Sequence, residues 1–344
     1  MRRTTGVTRR QTPDAGETSL AAAEIRLAAR NLANNEVCEM SHVFGPVPSR
    51  RLGRSLGIDL VPFKTCTYDC IYCQLGRTTN KTIERTEWVP LEDVLAELKD
   101  KLCCRPDYIT LSGSGEPTLY SRMGELIERL RSMTDTPVAV LTNGSLLWQE
   151  AVCAQIMAAD LVIPSLDAGS TLMFATVNRP HQDITFEKLL NGLVEFRQRF
   201  TGRFWLEVFL LAGYTADASE VRDIAKYVDL IRPERVQLNT VARPPAEAFA
   251  LPVAQERLLE YASMFTPQAE IIADFRKTHD LAEFETTRKE VIDLLRRRPC
   301  SVDDLANGLG IHRNEVAKYV EELRTRGLVE WTRTGRTLFY RASR

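Results

Sequence analysis

Between Lys64 and Arg77 the chain reads KTCTYDCIYCQLGR, which sets Cys66, Cys70 and Cys73 in a Cys-x3-Cys-x2-Cys array. Three thiols so close in sequence converge within one tight loop, and thiolates are soft ligands suited to zinc or to iron–sulfur clusters. A closed structural zinc site takes four protein ligands, whereas a cubane cluster held by three cysteines leaves one iron open to a small molecule. Thr67, Tyr68 and Asp69, which separate the first two cysteines, are not a core pattern, so three buried apolar cysteines explain the run poorly. A zinc knuckle completed by a distant fourth ligand is the other metal reading.

The text around this loop supplies elements to hold it. GIDLVPF, from Gly57 to Phe63, is an apolar strand-like run, and before it Pro46, Pro48, Gly53 and Gly57 break helical periodicity, so VFGPVPSRRLGRS reads as a shaped loop. Arg50, Arg51 and Arg54 are dense there; they are either a solvated turn or a holder of a phosphate or carboxylate. After the cysteines, amphipathic helical patterns alternate with the apolar runs YITLS, PVAVL, LVIPS, FWLEVFLLAG and RVQLN. Repeated strand–helix units of this kind predict a parallel sheet with helices outside it, an α/β fold in the form of a partial (βα)6 TIM-like barrel over residues 43–280. Polar residues fall at or just after the strands: Ser112 to Glu116, Thr142 and Asn143, Ser165 and Asp167, Glu207, and Asn239 to Arg243. The carboxyl ends of barrel strands share one face, so these residues are expected to converge on the cysteine loop.

With aromatic Tyr72 before the third cysteine and the run SGEP, Ser114 to Pro117, about forty residues later, the array resembles the radical S-adenosylmethionine (SAM) superfamily. The resemblance implies a 4Fe-4S cluster on Cys66, Cys70 and Cys73, and S-adenosylmethionine chelating the open iron through its amino and carboxylate groups. It places Tyr72 by the adenine and assigns the SGEP turn, through the Ser114–Gly115 backbone and Glu116, to the cofactor's amino group; serine replaces the first glycine of the family's run. Asn143, Ser165 and Asn239 match cofactor or substrate contacts, and Asp167, Arg179 and His181 are substrate-side candidates. The implied activity is reductive cleavage of the sulfonium to a 5'-deoxyadenosyl radical that abstracts hydrogen from a substrate, with an external flavodoxin- or ferredoxin-like electron donor. GPVPSRRLGRSLGID is also similar to the segment that precedes the cysteine loop in relatives of the wyosine-forming transfer-RNA enzyme. That enzyme has further upstream cysteines, and here only Cys38 lies upstream.

Residues 285–344 read as a separate module. A helix TRKEVIDLLRRR, a second helix that Ser301 caps with Asp304 three residues on, a third helix IHRNEVAKYVEELRTRG and two strands around Thr334 and Gly335 resemble a winged helix-turn-helix domain. The module carries a formal +4 against −5 for the remainder, which permits contacts to nucleic-acid phosphates. His312, Arg313, Asn314 and Lys318 begin the helix that enters a groove in this motif. A cluster-sensing transcriptional regulator and a transfer-RNA modifier are therefore alternatives to an enzyme acting on another substrate. Residues 1–42 are expected to be a disordered polar tail and an alanine-rich helix. Eight unpaired-looking cysteines, no apolar run of membrane-spanning length and no signal-peptide pattern lead us to expect a cytoplasmic protein without a membrane partner.

Overall fold

A computed structural model describes residues 42–49, 51–243, 245–272, 288–309, 313–335 and 337–343. The expected tail and helix fall outside these residues save for His42, as do Cys38, Arg50 and His312 and the side chains of Arg313, Asn314 and Lys318.

The shaped loop expected before the first strand is itself a strand pair. β1 (Val43–Ser49) runs antiparallel to β2 (Gly53–Asp59), with Ser49 opposite Gly53 across a tight turn. Pro46 and Pro48 are tolerated because β1 is an edge strand of the sheet. The predicted strand therefore shifts from residues 57–63 to 53–59. Asp59 ends it, and residues 60–64 turn into the cysteine loop, where β3 (Thr65–Cys66) pairs with β4 (Asn80–Lys81).

From there apolar runs and amphipathic helices alternate as their periodicities require. α1 (Leu91–Lys101) buries Leu91, Val94, Leu95 and Leu98 on one face. β5 (Tyr108–Ser112), α2 (Met123–Met133), β6 (Val138–Leu141), α3 (Glu150–Ile156), β7 (Leu161–Ile163), α4 (Thr171–Val177), α5 (Phe186–Arg199), β8 (Arg203–Phe209), α6 (Ala218–Ile231) and β9 (Arg235–Asn239) follow. α7 (Gln255–Ala262) leads to the short β10 (Glu270–Ile271), which the sequence reading did not anticipate. The sheet order is β1-β2-β5-β6-β7-β8-β9-β10, and every neighbouring pair beyond β1–β2 is parallel. This is an α/β fold with a mostly parallel sheet whose strand C-termini deliver the cysteine loop and the polar turns to one side.

The C-terminal segment forms α8 (Arg288–Arg297), α9 (Val302–Leu309), α10 (Arg313–Thr325) and the antiparallel hairpin β11 (Val329–Thr334) and β12 (Thr337–Ala342). Ser301 and Asp304 make the expected reciprocal cap: Asp304 N donates to Ser301 Oγ at 3.0 Å and Ser301 N to Asp304 Oδ2 at 2.9 Å. Val291, Leu295, Leu305, Val316, Val320 and Val329 form a core of their own, and Phe44 and Val47 of β1 pack on it. Among the described residues no helix is long and apolar enough to cross a membrane.

Candidate active site

Cys66 lies in β3, and Cys70 and Cys73 follow in the loop that β3 begins. The loop is fixed on both sides: Asp69 N and Ile71 N donate to the carbonyls of Asn178 and Val177, and Cys73 N closes a turn onto the Cys70 carbonyl. N–H groups surround the sulfurs. Tyr68 N lies 3.5 Å from Cys66 Sγ, Asn143 Nδ2 3.6 Å from the same sulfur, and Asn178 Nδ2 3.6 Å from Cys70 Sγ. Such donors suit sulfurs that carry negative charge. Burial pushes the thiols up, Cys66 to about 12 and Cys70 and Cys73 in the same direction, with Lys64 acting against the rise at Cys73. As free thiols they are therefore protonated and poor nucleophiles, and a bound metal, which requires thiolates, is what their chemistry fits. Among the described residues no three His, Cys, Asp or Glu side chains gather as ligands of a single ion. Three soft thiolates in one loop suit a cluster in which each takes its own iron.

The SGEP turn sits against the cysteine loop through backbone. Glu116 N and Lys64 N bond to the Thr65 and Ser114 carbonyls, and a Cβ on Gly115 would lie 1.8 Å from the Thr65 oxygen, so only glycine permits the approach. Glu116 is buried behind the wall. Its Oε1 accepts from Thr118 N at 3.0 Å, Thr118 Oγ1 at 2.6 Å and Thr142 Oγ1 at 2.6 Å, while Oε2 accepts from Asn143 N alone at 2.8 Å. Burial raises its proton affinity and these four donors act against the rise. Glu116 thus ties the turn after β5 to the turn after β6 and keeps acceptor capacity on Oε2.

A cavity of about 430 Å³ opens beside the loop. Cys70, Tyr72, Cys73, Gly115, Ser165 and Asn239 reach it, whereas Cys66, Ser114, Glu116 and Asn143 stand behind its wall in the network just described. Tyr72 stacks on Phe209 with ring centroids 4.0 Å apart, and its hydroxyl donates to Asp167. Asp167, expected on the substrate side, is a buried acceptor instead: Asn178 Nδ2 at 2.9 Å and Phe209 N at 3.0 Å also donate to it, and burial pushes its carboxyl up to about 6. Arg179 and His181 do not line the cavity; Arg179 pairs with Glu247 at 2.7 Å, and His181 N bonds to the Thr67 carbonyl at the outside of the cysteine loop.

Of the two described arginines of the early loop, Arg54 donates to the Cys104 carbonyl at 2.6 Å, away from the cavity. Arg51 lines the cavity and is held by Glu207, with Gln237 Oε1 at 3.3 Å, while Asn239 Nδ2 donates to the other Glu207 oxygen at 2.9 Å. Two residues of the site escaped the sequence reading. Asp59 and Arg297 are both buried and pair at 3.0 Å, and Asp59 also accepts from Ser114 N at 3.0 Å and from the Ser114 hydroxyl. A lone Asp in an apolar strand was the available signal, since a buried carboxylate needs partners.

The profile of the Radical SAM superfamily matches residues 60–228, which span the cysteine loop and β5 to β8. A GTPase Obg of Brachyspira hyodysenteriae is 40% identical over 292 residues, 83% of this chain but 43% of that protein, so the chain spans less than half the length of that relative. The sequence has no Gly-Lys pair and hence no P-loop. The solved structure of Streptococcus suis SuiB bound to S-adenosylmethionine aligns at a TM-score of 0.49 and 13% identity, covering 82% of this chain and 61% of that one. A UPF0026 protein of Methanocaldococcus jannaschii is 38% identical over 230 residues, 66% of this chain and 71% of that protein. With that relative matched over most of its length, the chain belongs to the UPF0026 family, and its residues 60–228, the three cysteines included, match the Radical SAM superfamily, whose cofactors are a 4Fe-4S cluster and S-adenosylmethionine.

Proposed function

We propose that this protein cleaves S-adenosylmethionine reductively on a 4Fe-4S cluster held by Cys66, Cys70 and Cys73, and directs the resulting radical at a separate substrate. The observation that carries the reading is the loop itself: three thiols at the carboxyl end of the first parallel strand, ringed by N–H donors and opening on a cavity of about 430 Å³. That volume lies within the usual range for a small-molecule site. Bound together, the reduced cluster and S-adenosylmethionine supply one-electron cleavage of a carbon–sulfur bond. The chain's own residues bind, orient and exclude water. Gly115 brings backbone to the cavity wall, Glu116 braces that turn from behind through Thr118, Thr142 and Asn143, and Tyr72, braced by Phe209 and Asp167, offers its ring edge beside the adenine. Ser114 and Asn143 hold the two turns in register, and Ser165 and Asn239 line the wall where cofactor meets substrate. The electron comes from a small flavodoxin- or ferredoxin-like donor. Anaerobic reconstitution with iron and sulfide is expected to give cluster absorbance, and dithionite with S-adenosylmethionine is expected to give 5'-deoxyadenosine; a protein that takes up zinc and yields none would overturn the reading.

Residues 285–344 are read as a winged helix-turn-helix domain, with α10 as the helix offered to a nucleic acid and the β11–β12 hairpin as the wing. The exposed Trp331 on that hairpin and the module's formal +4 support it. Filter binding of bulk RNA and duplex DNA is expected to show retention that falls steeply with salt. No retention of either at low salt removes the nucleic-acid partner.

A further inference from the structure

The cavity beside the cysteine loop is not closed by the parallel sheet alone. Leu294, Arg297 and Arg298 reach it from the end of α8, so the C-terminal module builds one wall. Counting charge around that wall decides what it suits. Four arginines line the cavity, Arg51, Arg243, Arg297 and Arg298, against one carboxylate, Glu207. Three of the four are matched: Arg51 by Glu207, Arg297 by Asp59 at 3.0 Å, and Arg243 by Asp304 at 3.8 Å. The half-buried Arg298 has no carboxylate partner among the described residues; its guanidinium lies against the neutral Cys300 thiol instead. Its backbone is fixed, however, because its N–H continues the helix onto the Leu294 carbonyl and its own carbonyl accepts from the Cys300 thiol. Arg298 and Arg243 also stand close to one another's ground: both act on the buried Cys300 thiol, against the rise that burial causes.

We propose that Arg298 is the binding group for an oxyanion, a phosphate or a carboxylate, carried by the substrate, which enters at the α8 end of the cavity while the cysteine end takes the cofactors. A guanidinium fork matches either oxyanion with two parallel hydrogen bonds, and a half-buried cation without a counter-charge gains most from one. Matched neighbours sharpen the site, since Asp59, Glu207 and Asp304 neutralise the other three arginines and leave a single unit of positive charge in a confined space. The assignment rests on the cofactor reading only for what occupies the opposite end.

The test is calorimetric titration of the reconstituted full-length protein with inorganic phosphate and, separately, with succinate, at constant ionic strength in potassium chloride. One saturable site is expected for at least one of the two, and the anion that binds more tightly names the substrate class. Arg298→Gln is expected to weaken it at least tenfold, and Arg298→Lys, which keeps the charge and loses the fork, by less. S-adenosylmethionine is expected to leave the anion bound. Three results would each overturn the proposal: neither anion saturates, Arg298→Gln binds as wild type does, or S-adenosylmethionine displaces the anion one for one, which would give Arg298 to the cofactor's carboxylate. Repeating the titration on protein without its cluster separates this proposal from the cofactor reading, because anion binding needs neither iron nor S-adenosylmethionine.

Discussion

Cys70→Ala is expected to reconstitute without cluster absorbance and to form 5'-deoxyadenosine at less than about one hundredth of the wild-type rate, a loss beyond the 10–100-fold typical of removing a supporting partner of a metal ligand. The residue sits between the other two thiols in sequence, and both Cys66 and Cys73 act electrostatically on it, so its sulfur belongs to their group. Removing it leaves two thiolates for a cluster that has no fourth protein ligand to spare. Asn178→Ala gives the graded comparison. It removes the N–H donor 3.6 Å from Cys70 Sγ and also one of the donors to Asp167, and it should weaken cluster retention about tenfold without abolishing it. Cys153→Ala is the control: that thiol is buried in the helical layer and donates to the Leu147 carbonyl at 2.9 Å, so its loss is a packing change that leaves the cluster intact. A Cys70→Ala protein that still releases 5'-deoxyadenosine on reduction would end the assignment of the loop.

What could be read from the sequence was what the chain encodes locally. The cysteine spacing, the glycine-flanked turn at Ser114 to Glu116 and the reciprocal cap of Ser301 and Asp304 each lie within a few residues, and the cap has the geometry its spacing implies. Strand and helix periods were legible for the same reason over most of the stretch from α1 and β5 to β9, though not at the short α4, and again over α8 to β12. The first strand was misplaced because GIDLVPF is continuously apolar, while its sheet pairing is set by β1, whose prolines argue against a strand unless it lies at an edge.

Long-range pairing was not legible. Arg51 looked like a cation awaiting an anionic ligand, and it is held by Glu207, 156 residues away. Asp167 looked like a residue for the substrate, but three protein donors engage it, because a buried carboxylate recruits whatever donors the fold brings near. Arg297 sits in the run Arg296-Arg297-Arg298, which on a helix end reads as a solvated basic face, and Asp59 sits in an apolar strand. Nothing in either neighbourhood names the other, 238 residues apart.

That pair carries the largest expected effect on stability. Arg297→Met should destabilise the protein by about 3–5 kcal/mol in chemical denaturation, the usual consequence of leaving one member of a buried ion pair alone. Both groups are nearly inaccessible, with Asp59 at 5% and Arg297 at 7% exposure, so solvent screens the pair little. Burial already raises the proton affinity of Asp59 and Arg297 is the largest influence opposing that rise. Without the guanidinium, the folded-state affinity rises further above the unfolded value, so the native protein holds the proton more tightly than the unfolded chain. The deficit of the variant is therefore smallest at low pH, where Asp59 is protonated in both states, and grows as pH rises through the folded-state value. Asp59→Asn removes the charge that Arg297 was there to meet, and the double variant should lose less than the two single losses added together. The effect extends to the site, because Asp59 also receives the Ser114 N–H and hydroxyl and so links α8 to the turn that faces the cofactors. Arg297→Met should thus weaken S-adenosylmethionine binding along with stability, and Asp59→Asn in the same background should recover part of the stability. Strictly additive single losses, or a deficit that does not grow with pH, would show that Arg297 contributes through packing over Phe44, 4.2 Å from its ring, rather than through its charge.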